Sequence, residues 1–217
     1  MKRIIAATLF CLCSAMQPAL AGTPSYYYFD ASRIAIKTVY NAKGEVVGTQ
    51  EYSVTKPGAN TVHGQNAIIK PGKDTEITGC TYSIADGKLM ISMGRNAAGR
   101  EVFLDYRTVT GGNSDIIRRT GFETDAKLAG KSVRVTCTIT NRKVFPSAET
   151  ISSRAGNWEC VRSEYDMELR GRVFGIGIPV HVRIVEWYAP GFGIVRTDIY
   201  RRGKLHETRL LTGFKGV

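Results

Sequence analysis

Hydrolytic or metal chemistry in this chain would have to come from His63, His181 and His206, from Cys80, Cys137 and Cys160, or from the carboxylates Glu159, Glu164, Asp166 and Glu168. A metal centre needs several such ligands at suitable spacing, and the sequence has no HxH, HExxH or CxxC arrangement. The histidines read as surface or strand-face residues, and no metal or cofactor is expected. Nucleophilic hydrolysis would favour a GxSxG elbow, which is absent, or an activated cysteine. Cys160 has Arg162 two residues on, yet Trp158 shares its face and argues for burial. Sugar hydrolysis needs two acids across a cleft. Alternation instead sets Glu164, Asp166 and Glu168 on one side, among Arg162 and Arg170, as on a solvated face. Gly175-Ile176-Gly177 and Gly191-Phe192-Gly193 carry GxG without the strand-to-helix context of a phosphate loop. The chain is therefore expected not to be an enzyme. Convergence of two or more of His63, His181, Asp166 and Cys160 in one pocket would speak against that.

Binding is the better-supported chemistry. Trp187, Tyr188 and Phe192 cluster at a hairpin, and Tyr26-Tyr27-Tyr28-Phe29 stand near the start of the mature chain. A curled sheet can enclose an apolar ligand on its concave face with aromatics at the mouth. The expected ligand residues are Trp187, Tyr188 and Phe192 with Ile176 and Ile178; the competing expectation is that these rings close the core. Glu186 and Arg196 are expected to pair across the same hairpin.

The elements that must position these residues are strands. Period-2 patterns dominate, and no sustained helical stripe is found. Arg33 to Tyr40 and Glu45 to Thr55 form a first pair around Asn41-Ala42-Lys43-Gly44. Thr75 to Ile84 and Lys88 to Met93 form a second around Ala85-Asp86-Gly87. Residues 95–131 read as a long connection with one strand and a short helix, a place for a lid or a solvated connector. Val133, Val135, Cys137 and Ile139 alternate with polar residues, as in a half-buried antiparallel strand. Asn157 to Leu169 follows. Phe174, Ile176, Ile178, Val180, Val182 and Ile184 make an apolar row, with Gly175, Gly177 and Pro179 opposite suggesting a bulge or bend. Pro190 and Gly191 make the turn of the late hairpin, and a final pair turns at Arg201-Arg202-Gly203-Lys204.

Residues 1–21 read as an export signal, with Lys2 and Arg3, an apolar run from Ile4 to Leu12, and Ala19-Leu20-Ala21 as the cleavage site. Residues 22–217 then form a single antiparallel β domain in the periplasm or outside the cell. Phe10 precedes Cys11 and Leu12 precedes Cys13, so no lipid anchor is expected. No later stretch approaches the ~18 apolar residues of a spanning helix. The chain carries 30 Lys and Arg against 19 Asp and Glu, a net of +11; losing Lys2 and Arg3 leaves +9. A basic exported protein can meet anionic envelope polymers or headgroups, whereas export and the lack of a binding motif exclude nucleic acid. Cys80, Cys137 and Cys160 allow one disulfide and one leftover thiol, with the pairing unknown, or three buried thiols.

Several segments together resemble one family, the TapB-like exported envelope proteins. Tyr40 to Glu45 with Glu51 to Val54 resembles its first hairpin, and Asp86 to Met93 its second. Thr140 to Val144, Glu149 to Ile151, Ala155 to Cys160 and Trp187 to Val195 are the most specific matches, in order and spacing. The resemblance covers almost the whole mature chain. It implies a strongly curved antiparallel sheet or partly open barrel, similar to the LolA and LolB lipoprotein carriers, and no reaction. Gly112-Asn113-Ser114-Asp115 replaces a proline-rich stretch of the family, and Cys80 stands a few residues from the cysteine expected in its hairpin, so no disulfide carries over. The expected function is non-catalytic binding or carriage of an apolar or lipid-like molecule; the alternative is an envelope structural or protein-interaction module.

Overall fold

The computed structural model describes residues 25–106, 120–128, 131–173 and 176–217. It has a single 3₁₀ turn, Tyr27–Phe29, and twelve strands among these residues. The first six are β1 (Arg33–Asn41), β2 (Val46–Lys56), β3 (Thr61–Ile69), β4 (Glu76–Ala85), β5 (Lys88–Arg95) and β6 (Glu101–Tyr106). The others are β7 (Thr120–Leu128), β8 (Lys131–Ser153), β9 (Gly156–Val173), β10 (Ile176–Ala189), β11 (Gly193–Arg201) and β12 (Lys204–Gly216).

All belong to one antiparallel sheet in the order β4-β3-β2-β1-β12-β11-β10-β9-β8-β7-β5-β6. One edge of β5 joins β4 to β7. Tyr82↔Ile91 through Ala85↔Lys88 pair it with β4, and Arg95↔Glu123 pairs it with β7. Eleven strands thus close a barrel, and β6 is held along the other edge of β5. The expected curved sheet is present, with closure completed by that narrow junction. Gly94 permits it: at φ +139 its α-carbon lies so close to the Glu123 carbonyl that a β-carbon would collide.

Most hairpins follow their turn chemistry. Asp86 and Gly87 both have positive φ between β4 and β5, as a type I′ turn demands. Ala189 O accepts from Phe192 N at 3.0 Å around Pro190 and Gly191, whose φ is 74°. The long connection expected at 95–131 instead contains β6 and β7; residues 107–119 lie outside the described residues, as do 1–24. The apolar row from Phe174 to Ile184 is not one strand, because β9 ends at Val173 and pairs with Ile176 across a hairpin. Phe174 and Gly175 lie outside the described residues. β3 is an additional strand that period-2 hydrophobicity does not mark.

One end of the interior is closed by tyrosines. The 3₁₀ turn lies against the β10–β11 hairpin through Tyr27 N to Phe192 O (3.1 Å), and the Tyr27 hydroxyl donates to Ile194 O at 3.0 Å. Ile194 N donates to the Tyr28 hydroxyl, and the Tyr52 hydroxyl donates to Tyr28 O at 2.7 Å. Tyr28 and Tyr82 stack with centroids 3.9 Å apart. The hydroxyls of Tyr27, Tyr28 and Tyr52 each find a partner, which lets aromatic bulk fill this end of the core without stranding them.

Candidate ligand site inside the barrel

Charge appears on the inner face wherever a strand carries it in phase with its apolar residues. In β1, Ala35, Lys37 and Val39 share a face, so Lys37 points inward. In β10 the same phase sends Glu186 inward beside Ile184, and in β12 Arg209 follows the phase of Leu211. Register then assembles them. Glu186 faces Thr197, and Thr197 faces Arg209. Arg209 faces Val39, two residues from Lys37, and Lys37 faces Gln50. Gln50 donates to Asn66 Oδ1 at 2.9 Å, and Asn66 Nδ2 donates to Cys80 Sγ on β4 at 3.3 Å. A polar belt therefore crosses the interior from β10 to β4 through the barrel's middle strands.

This belt borders a cavity of about 220 Å³ whose remaining wall is mainly aromatic: Tyr27, Tyr28, Tyr52, Tyr82, Tyr106 and Tyr165. Glu186 is 7% exposed. Its Oε2 accepts from the Tyr106 hydroxyl at 2.5 Å, and the nearby Tyr165 hydroxyl also favours the carboxylate. Burial pushes its carboxyl above the usual range, opposed by Tyr106, Arg142, Lys37 and Tyr165. Arg142 enters from β8 because the register slips between Thr140 and Lys143, where Asn141 adopts φ 55°. That bulge turns Arg142 inward, 2% exposed, to donate to Asp105 Oδ1 (3.1 Å) and Asp105 O (2.6 Å). Its guanidinium lies over Tyr106, tying β6 to the interior.

The cations differ in how well they are matched. Arg209 donates to Glu207 Oε1 at 2.7 Å, and Glu207 also accepts from Lys70 at 3.1 Å. Lys37 has no hydrogen-bonding partner among the described residues; Glu186 is its nearest charge support. Desolvation pushes its ammonium down to about 8, with Arg209 adding repulsion. Its side chain is half-buried on the cavity wall, and a charge removed even partly from water carries a desolvation cost unless paired.

The residues expected from sequence to bind ligand are not gathered here. Trp187 and Tyr188 are consecutive on β10 and so face opposite sides of the sheet. Trp187 lies on the outer face, its Nε1 donating to Glu149 Oε2 at 2.7 Å and Arg196 stacked on it at 4.6 Å. Tyr188 points inward and bonds the Tyr26 hydroxyl at 3.0 Å. Phe192 packs between Trp158, Tyr27 and Phe214 at the closed end. Ile176 and Ile178 take backbone places opposite Val173 and Gly171, and their side chains lie outside what is described. Glu186 and Arg196 do not pair either. Alternation separates them, and Arg196 instead binds Asp198 through two nitrogens at 2.9 and 2.7 Å.

Cys80, Cys137 and Cys160 are all free thiols. Burial pushes Cys80 and Cys160 up to about 12 and Cys137 to about 11, so none is held as a thiolate. Asp166 and His181 do meet in one open basin of about 1090 Å³ on the outer face of β8 to β11, a convergence of two of the four residues that speaks for the enzyme alternative. There Asp166 accepts from Asn141, Glu164 from Arg183 and Glu168 from Arg170, the solvated face expected of that acidic row. His63 is on β3 beside Thr81, and Cys160 is fully buried. No group of three or more His, Cys, Asp or Glu among the described residues is placed to hold a metal.

Residues 122–211 match a family model described as DUF3108-like. That stretch runs from β7 to β12 and supplies Arg142, Tyr165, Glu186 and Arg209, whereas Lys37, Gln50 and Asn66 lie before it. Two crystal structures share the fold. A Bacteroides fragilis protein inferred to be exported, of YmcC-like fold, is 18% identical, with TM-score 0.64 over 86% of this chain and 96% of its own. A Parabacteroides distasonis protein inferred to be a lipoprotein is 17% identical, with TM-score 0.65 over 88% of this chain and 99% of its own. At these identities the likeness shows the fold alone. No curated protein matches the chain in sequence, and no helix among the described residues is long and apolar enough to cross a membrane.

Proposed function

We propose that residues 22–217 form an exported, non-catalytic binding module of the cell envelope that holds a small molecule inside the barrel. The cavity between the tyrosine wall and the polar belt carries this reading. Its volume of about 220 Å³ exceeds the ~150 Å³ that accommodates benzene. It falls short of the ~300 Å³ where drug-sized pockets begin. The apolar or lipid-like ligand thus narrows to a ring-sized molecule or short chain, with a full acyl chain too large for the space. Export is supported by the residues 1–21 pattern and by the exported character inferred for a protein of the same fold.

Native mass spectrometry of protein purified from its own envelope fraction tests the reading. A bound small molecule should accompany the wild-type chain and be lost from Ile199→Trp, which fills the cavity from β11. A wild-type protein without any bound mass, in a form that gains stability on filling, would remove it.

A second reading, an interaction module, is favoured by the edge of β4. Its Glu76–Thr81 stretch has β3 on one side and no strand on the other among the described residues, and Ile77 is 59% exposed there. Crosslinking from position 77 in intact cells should then recover one envelope protein reproducibly, and its absence counts against this reading.

A further inference from the structure

The charged groups lining the cavity are Lys37, Arg209 and Glu186; behind them stand Lys70 and Arg142, paired with Glu207 and Asp105, which makes four cations against three carboxylates among the described residues. The surplus is one positive charge, and geometry locates it. Arg142 is committed to Asp105, and Arg209 and Lys70 to Glu207. Glu186 accepts from Tyr106 through Oε2 and stands at the far side of Thr197 from Arg209. Lys37 is left on the cavity wall with an ammonium that nothing in the barrel hydrogen-bonds among the described residues.

Resting on the cavity reading above, we propose that the bound molecule is a monoanion, its charged oxygens set against Lys37 and its ring-sized apolar body held among the tyrosines. The belt suits such a ligand. Gln50 faces Lys37 on the adjoining strand and Thr197 faces Arg209, so neutral polar groups flank the ammonium. Beyond them Ile91, Met93, Ile184 and Ile199 share the wall with the rings. A cationic ligand would add to a surplus already positive. A neutral one would leave the half-buried Lys37 with Glu186 as its charge support and no direct partner, whereas an anion supplies that partner on binding.

The test uses three probes of one shape on the intact mature protein: benzoate, benzyl alcohol and benzylamine, titrated calorimetrically at pH 7. Benzoate should bind about tenfold more tightly than benzyl alcohol, with benzylamine weakest. In Lys37→Met the benzoate advantage should disappear while benzyl alcohol affinity stays within about threefold of wild type. The wild-type preference should also fade as pH rises past about 8, where Lys37 loses its proton. Benzyl alcohol binding as tightly as benzoate would overturn the monoanion and leave the cavity reading standing. Failure of all three probes to bind would overturn the monoanion, and only loss of the native adduct as well would remove the cavity reading.

Discussion

Lys37→Met should make this protein more stable. The ammonium falls from its ordinary 10.5 to about 8 with desolvation as the leading cause, and the Glu186 attraction is already included in that value. At about 1.4 kcal/mol per pH unit, holding Lys37 charged inside the barrel costs about 3 kcal/mol. Methionine keeps the aliphatic stem and drops the charge, so the folded state should gain up to about 3 kcal/mol at pH 7, or roughly 6–12 °C in Tm for a chain of this size. Between about pH 8 and 10.5 the unfolded chain binds more protons at Lys37 than the folded one. Wild-type stability therefore rises with pH relative to the variant, and the gap closes by about pH 10.5. Urea unfolding of both proteins at intervals from pH 6 to 10, without added ligand, measures the gap. Taking the difference removes the titration of tyrosines common to both chains. A variant less stable than wild type at pH 7, or a gap that stays constant through pH 10, would refute the half-buried ammonium without a direct partner.

Three further outcomes follow from the same interior and its seals. Tyr106→Phe removes the hydroxyl that donates to Glu186 and should cost about 1–3 kcal/mol. Because burial raises the Glu186 carboxyl, the loss should be larger at pH 8 than at pH 5, where uptake of a proton relieves the folded state; equal losses by urea unfolding would contradict this. Gly193→Ala should lower stability by about 1–3 kcal/mol and weaken the near-ultraviolet tyrosine signal. Gly193 has φ +130 and a β-carbon there would stand 2.8 Å from both Tyr27 and Tyr28 rings; an unchanged Tm would argue against the tyrosine seal. The thiols of Cys137 and Cys160, 1% and 0% exposed, should resist a thiol reagent at pH 8 in the native protein and react fully in urea, and rapid native labelling would show an open interior.

The outer hairpins were legible because their turns are chemical statements: Asp86-Gly87 and Pro190-Gly191 demand the backbone they adopt. The Val135, Cys137 and Ile139 face was legible because it packs against an ordinary apolar core. β3 was not, since its inward residues include Gly64 and Asn66. Gly64 is required where Tyr52 crosses it, and Asn66 joins the polar belt. A barrel with a polar interior breaks the hydrophobic alternation that identifies strands. The available clue was phase: Lys37 between Ala35 and Val39, and Glu186 two residues after Ile184, occupy apolar places in their strands. Which carboxylate meets which cation depended on bulges, such as the one that turns Arg142 inward, and no local sequence rule predicts their partners.

The pairing of β1 with β12, Arg33↔Gly216 through Asn41↔Glu207, has a consequence for how the chain is made. Among the described strands the first and last sit side by side in the middle of the sheet, so β1 has β2 on one edge but nothing on the other until the 13 residues of β12 have been synthesised. Pairings so distant along the chain are slow to form. A nascent polypeptide with this wiring cannot complete its barrel early. If the chain is exported as proposed, that delay would let it cross the membrane as an extended thread and seal the barrel on the far side.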